Sequence, residues 1–225
     1  MVKINIAVAG GPCTGKSTLA AALFAKLKEL GLDFDLVTEE GRKLKREFGG
    51  CRSPFDRFYL WRKQEREEKR STADNGFITD QPLFHFYVHA RQHVEEPRDM
   101  LAVRELFRMC TEIEDRYQLI VIAENPREIT YKRDRGRKGD EQHGRERHAL
   151  VRSFVEHFWL ERLLLVKGGV AKRVETVLKK LETMGLDLGR SKRVEDRVSS
   201  SPLADEFFSA GEASDTEPEE SDTPF

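Results

Sequence analysis

The chain has 225 residues, 39 Lys and Arg against 40 Asp and Glu, and 38% hydrophobic residues, enough for one modest globular domain but with no apolar run of membrane-spanning length. Cys13, Cys51 and Cys110 are widely spaced, with no Cys-x-x-Cys pair and no histidine cluster at ligand spacing, which excludes a disulfide framework and a zinc finger. The N-terminus opens on a strand where a signal peptide needs a basic segment and a cleavage site, so the expectation is a soluble, cytoplasmic protein with no membrane partner.

The first predicted element is an apolar strand over Ile4 to Ala9. It runs into Gly10, Gly11, Pro12, Cys13, Thr14, Gly15, Lys16, Ser17 and Thr18, the spacing G-x-x-x-x-G-K-[ST], and Leu19 to Leu27 follows at helical spacing. Strand, glycine-rich turn and helix in this order let backbone N–H groups face phosphate oxygens beside the positive end of a helix. The pattern predicts a nucleoside triphosphate site, with ATP and Mg²⁺ as cofactors. Lys16 reaches the β/γ-phosphates and Ser17 ligates the metal through its hydroxyl, while Thr18 serves the helix start. Cys13 reads as a small loop filler.

Gly31 stops the first helix, and 34–38 reads as a second strand ending at Glu39. Asp56 to Arg70 is helical, with Phe58, Tyr59, Leu60 and Trp61 as apolar contacts. Phe77 to Asp80 is a short strand ending in an acid. Helices follow at 82–93 and 101–116, then an apolar strand at 119–123 ending at Glu124, a strand at 163–166 and a helix at 170–184. Strands alternating with crossover helices predict an α/β, three-layer P-loop NTPase fold, with a mostly parallel five-stranded sheet covered on both faces. Ligands gather at the carboxyl ends of such strands. Glu39, Asp80 and Glu124 stand there, carboxylates suited to holding metal and accepting a hydroxyl proton.

Gly10 to Thr18, Glu39-x-x-Arg42, Asp80-Gln-Pro82 and Asp134-x-x-Arg137, taken in order, resemble the small P-loop kinase and ATPase family related to ribosylnicotinamide and deoxynucleoside kinases, many of them phage-encoded. The resemblance spans residues 3–183. It implies kinase chemistry on a nucleoside, nucleotide or related hydroxyl, with Glu39 or Asp80 as base and the other assisting Mg²⁺ (Asp80, with Ser17 and Glu124, in the metal set), and with Glu39, Arg42 and Asp80 facing the acceptor. Gln81 departs from the arginine or serine often found after the strand-three acid.

The expected lid, 127–147, is unusually basic, with Arg127, Lys132, Arg133, Arg135, Arg137, Lys138, Arg145 and Arg147 interleaved with Gly136, Gly139 and Gly144. Arginine on a glycine-hinged loop can close over the charge spread in phosphoryl transfer, and Arg135, Arg137 and Arg147 are the candidates. Arg62 and Gln64 on the helix after strand two are candidates for reading the acceptor's edge. His85, His89 and His93 share a helix at four-residue spacing and are expected at the surface rather than on a metal.

Residues 195–225 contain ten acids and a single base, Arg197, so the rest of the chain holds 38 bases against 30 acids, about +8. The domain is expected over 1–190 and an acidic, disordered tail over 191–225. The basic body makes a nucleic acid a candidate partner or acceptor, and the terminal Pro224-Phe225 makes a protein partner another. An ATPase switch is the third reading.

Overall fold

The computed structural model describes residues 3–38, 53–124 and 141–189. The order is β1 (Ile6–Ala9), α1 (Lys16–Glu29), β2 (Asp35–Val37), α2 (Asp56–Lys69), β3 (Phe77–Thr79), α3 (Phe84–Arg91), α4 (Asp99–Thr111), β4 (Leu119–Ala123), α5 (Glu141–Phe158), a 3-10 turn (Leu160–Arg162), β5 (Leu163–Val166) and α6 (Val170–Thr183). Among the described residues the sheet runs β2-β3-β1-β4-β5, and every pairing is parallel. The fold is α/β with three layers, and the compact unit that carries it is Met1–Leu188. The tail expected at 191–225 lies outside the described residues.

Strand side chains alternate between faces, and the central strand divides its residues between two cores. Ile6 and Val8 join Leu119, Val121 and Val166 against Leu19, Leu23 and Leu27 of α1 and Val177, Leu178 and Leu181 of α6. Ala7 and Ala9 join Phe77, Ile120 and Ile122 under α2 to α5, a layer built from Trp61, Phe84, Phe86, Phe154 and Trp159. Small alanines at the centre of this second face allow large rings to approach the sheet; Phe84 alone meets His85, Tyr117, Phe154 and Trp159 with ring centroids 5.2–6.2 Å apart.

α2 is tied to the sheet by a buried polar network. The Tyr117 hydroxyl donates to Glu68 (2.9 Å) and accepts the Leu83 N–H (3.0 Å), while Arg116 donates to the same carboxylate. Burial pushes the Glu68 carboxyl up to about 7, even though Arg116, Tyr117 and Gln64 all favour its ionised form. One end of the turn that follows β3 is thereby held at Leu83. The other end is held where Thr79 Oγ1 accepts the Gln81 N–H at 3.2 Å.

Three helices begin or end away from the sequence expectation. α4 begins at Asp99 rather than Leu101, because the Asp99 carboxylate accepts the N–H groups of Glu95 and Glu96 and so fixes the entry. It stops at Thr111, where Ile113 and Arg116 continue as turns. The helix expected at 82–93 is shorter, Phe84–Arg91. The third difference bears on the site: residues 141–147, read as the closing part of a lid loop, are the first two turns of α5.

Candidate functional site

The site starts where β1 ends. Gly15, at φ +81, stands at the N-terminus of α1 in the left-handed region that glycine adopts without steric cost. Cys13 also lies there, at φ +60, the one described non-glycine residue with positive φ. Inside the loop the Gly11 carbonyl accepts from Thr14 Oγ1 (3.0 Å) and from Lys16 Nζ (2.7 Å). Thr14 is buried, Pro12, Cys13, Gly15, Lys16 and Ser17 are half-buried, and Thr18 is exposed.

Three side chains from distant elements brace this loop. His148 Nδ1 of α5 accepts the Gly11 N–H at 3.1 Å, and His85 Nε2 of α3 accepts the Gly10 N–H at a long 3.5 Å. Both bonds need a neutral imidazole nitrogen. Burial holds both histidines below their ordinary range, reinforced at His85 by Lys16 and Arg147; at His148 the nearby Glu124 opposes burial while Lys16 and Arg152 add to it. The third brace is Arg173 of α6, 2% exposed. Its guanidinium donates to the carbonyls of Thr14 (2.7 Å), Glu124 (2.6 Å) and Gly168 (2.8 Å), joining the ends of β1, β4 and β5.

Helix α5 lies against the loop. A Cβ placed on Gly11 would come within 2.7 Å of His148 Cβ and 2.8 Å of the Gly144 carbonyl oxygen. Gly144 therefore sits in a helix packed on the phosphate loop and is not the loop hinge expected from sequence. Arg147, on the same helix, donates through Nε to Gln92 (2.6 Å) and lies 3.0 Å from His143 Nε2. Of the histidines expected at the surface, His85 is buried and His89 half-buried, with ring centroids 5.8 Å apart, whereas His93 is exposed. The positive charges of Arg147, Arg57 and Lys16 add to burial in keeping His89 neutral.

Asp80 follows β3 and is 5% exposed, and its Oδ1 is buried with no hydrogen-bond partner among the described residues. A buried carboxylate oxygen left without a donor is costly and fits a site that a cation, water or hydroxyl completes. Glu124 sits in an ion-pair cluster, its carboxylate 2.8 Å from Arg152 and 3.0 Å from Lys167, so it orders two cations at the ends of β4 and β5. Gln64 is wholly buried and donates to Thr79 Oγ1 at 3.1 Å next to Asp80, while its Oε1 is buried with no hydrogen-bond partner among the described residues. Arg62 points to solvent and pairs with Glu65 along α2. Trp61 packs in the core against Phe86, and Tyr59 is exposed. Glu39, Arg42, Arg135 and Arg137 lie outside the described residues, as do Cys51 and the rest of the expected lid before residue 141.

A parallel sheet in the order 2-3-1-4-5, a glycine-rich loop between its central strand and first helix, and an acid ending the neighbouring strand define a P-loop NTPase fold of the nucleoside and nucleotide kinase type. The chain belongs to the AAA_28 family, an AAA domain, which matches residues 5–173. No curated protein sequence matches it. Among solved structures it is similar to NadR in complex with NAD and AMP-PNP, at 19% identity and a TM-score of 0.63 over 82% of this chain and 50% of that one. It is also similar to a thymidylate kinase from Candida albicans (16%, TM-score 0.56, 82% and 93% covered) and to a deoxyadenosine kinase from M. mycoides (14%, TM-score 0.54, 80% and 100%). The chain spans about half the length of NadR. No helix among the described residues is long and apolar enough to cross a membrane.

Proposed function

We propose that the chain is an ATP- and Mg²⁺-dependent kinase that transfers the γ-phosphate to the hydroxyl of a nucleoside, nucleotide or related small molecule. The observation that carries this reading is the pairing of a shaped phosphate loop at the end of β1 with a buried, unsatisfied Asp80 carboxylate oxygen at the end of the adjacent β3. Mg²⁺ takes one or two protein oxygens together with substrate phosphates and waters. Ser17 and Asp80 fit that requirement and would hold it; when bound, the ion supplies positive charge to the transferring phosphoryl group.

The remaining work belongs to the chain. Backbone N–H groups around Gly15 and the amino end of α1 receive the phosphate oxygens, and Lys16 Nζ exchanges the Gly11 carbonyl for a β/γ-oxygen. Of Glu39 and Asp80, the one that does not hold the ion takes the proton from the attacking hydroxyl. Arg135 and Arg137 of the basic segment before α5 close on the transferring group.

Incubation with [γ-³²P]ATP and separate panels of nucleosides, nucleoside monophosphates and single-stranded DNA tests the proposal. Label should pass to a small-molecule acceptor, and Lys16→Ala should lose about 10³-fold in turnover, in line with removal of a charge that stabilises the transition state. Label passing only to DNA would make the acceptor a nucleic acid, the reading favoured by a basic body of about +8. Hydrolysis with no labelled acceptor would make the protein an ATPase.

A further inference from the structure

Arg173 is a buried guanidinium whose hydrogen-bond partners are all neutral. It donates to no carboxylate among the described residues; its three bonds go to the carbonyls of Thr14, Glu124 and Gly168. A charge removed from water and left without a counter-ion is expensive, and this one lies directly behind the phosphate loop, 3.5 Å from where a Cβ on Gly15 would stand. Burial lowers its pKa with no acid to offset the effect.

The direction of the bonds matters as much as the charge. In a trans peptide the C=O of one residue and the N–H of the next point in opposite directions, and no described peptide bond is cis. Holding the Thr14 carbonyl inward on Arg173 turns the Gly15 N–H outward, toward the face where the loop receives phosphate. Holding the Gly168 carbonyl turns the Gly169 N–H outward at the end of β5. One planar fork therefore sets the aim of amides on two separate strand-end loops.

We propose that Arg173 is a positioning residue that locks the phosphate loop and the 167–169 loop into one unit, and that the phosphate chain of the bound nucleotide is the counter-charge its buried cation lacks. This inference rests on the nucleotide-binding reading above and adds to it that affinity is set from behind the loop, by a residue that need not touch the ligand. Its energetic signature scales with phosphate number.

Titration calorimetry on wild type, Arg173→Met and Arg173→Lys with ATP, ADP and AMP tests it. Arg173→Met should weaken ATP about 10- to 100-fold, the worth of hydrogen bonds to a charged group, with a smaller loss for ADP and the smallest for AMP. Lysine keeps the charge but not the fork, so Arg173→Lys should recover part of the loss. Equal losses for all three nucleotides, or none, in a variant with native circular dichroism would overturn the proposal. Should Arg173→Met fail to fold, hydrogen exchange on the wild type with tripolyphosphate, which has no base, provides the second measurement. Protection at 167–173 as well as 10–18 supports the coupling, and protection confined to 10–18 refutes it. A wild-type protein that binds no nucleotide refutes the function itself, whereas wild-type binding that Arg173→Met leaves intact refutes only the role of the arginine.

Discussion

Gly11→Ala isolates the contact between α5 and the phosphate loop. Gly11 does not have the positive φ that would by itself demand glycine, so the cost of a methyl group there is one of space alone. The new Cβ would lie 2.7 Å from His148 Cβ, 2.8 Å from the Gly144 oxygen and 3.1 Å from His148 Cα. None of these atoms can rotate away, so the helix or the loop must move, at the upper end of the roughly 1–3 kcal/mol that overpacking costs. For a domain of this size about 2–3 kcal/mol corresponds to a fall in Tm of roughly 4–12 °C. Gly31→Ala is the control: its φ is +77 with nothing within 4 Å of the added carbon, so it pays only about 1 kcal/mol of backbone strain and should leave ATP affinity unchanged. Thermal unfolding with and without ATP separates the two, since Gly11→Ala should also weaken binding. A Gly11→Ala protein that melts within about 1 °C of wild type, or no lower than Gly31→Ala, would show that α5 does not seat on the loop as described.

Glu68 makes stability pH-dependent. Its folded-state pKa of about 7 lies above the ordinary 4.5, so the native state keeps a proton that the unfolded chain releases, and stability from this group is highest below 4.5 and falls as pH rises to about 7. The difference in unfolding free energy between wild type and Glu68→Gln should therefore shift by about 3 kcal/mol against wild type between pH 4.5 and 8; a pH-independent difference in denaturant midpoints would refute the buried assignment. His148→Ala strands the Gly11 N–H and should cost about 1–3 kcal/mol, whereas Asn, with a side-chain acceptor, should recover most of it in the same unfolding assay; equal losses for Ala and Asn would mean that the imidazole serves only to fill space. Asp80→Asn should lose at least about 10²-fold in turnover with ATP affinity largely kept and the Mg²⁺ requirement raised. If instead Glu39→Gln abolishes turnover while Asp80→Asn remains fully active, Glu39 is the base.

The phosphate loop and the five strands were legible because their signals are local: a fixed spacing of glycines, and short apolar runs bounded by turns. Helix α5 was not, since the basic, glycine-punctuated stretch before it reads as one continuous loop and Gly144 reads as its hinge. A stripe was nevertheless present: Gly144, His148, Val151 and Val155 share a face at spacings of three and four. Arg173 was missed although it lies on the apolar face of α6 beside Val174 and Val177, where a charge must find partners. The aromatic residues of α2 divided as helical spacing demands, Trp61 into the core and Tyr59 outward. His85 and the Gln64 amide nitrogen are buried with hydrogen bonds to Gly10 and Thr79, and such pairings over long sequence separation leave no periodic trace.

Those separations bear on when the loop acquires its shape. The residues that brace Gly10, Gly11 and Thr14 stand 75, 137 and 159 positions further along the chain. Contacts this remote form late, after the loop-closure entropy of nearly the whole domain has been overcome. A nascent chain emerging N-terminus first displays the complete G-x-x-x-x-G-K-S spacing within its first 20 residues, yet the last brace arrives only with α6, near the end of the fold. The braced shape of the loop is in this sense a property of the finished domain, complete only once α6 has docked.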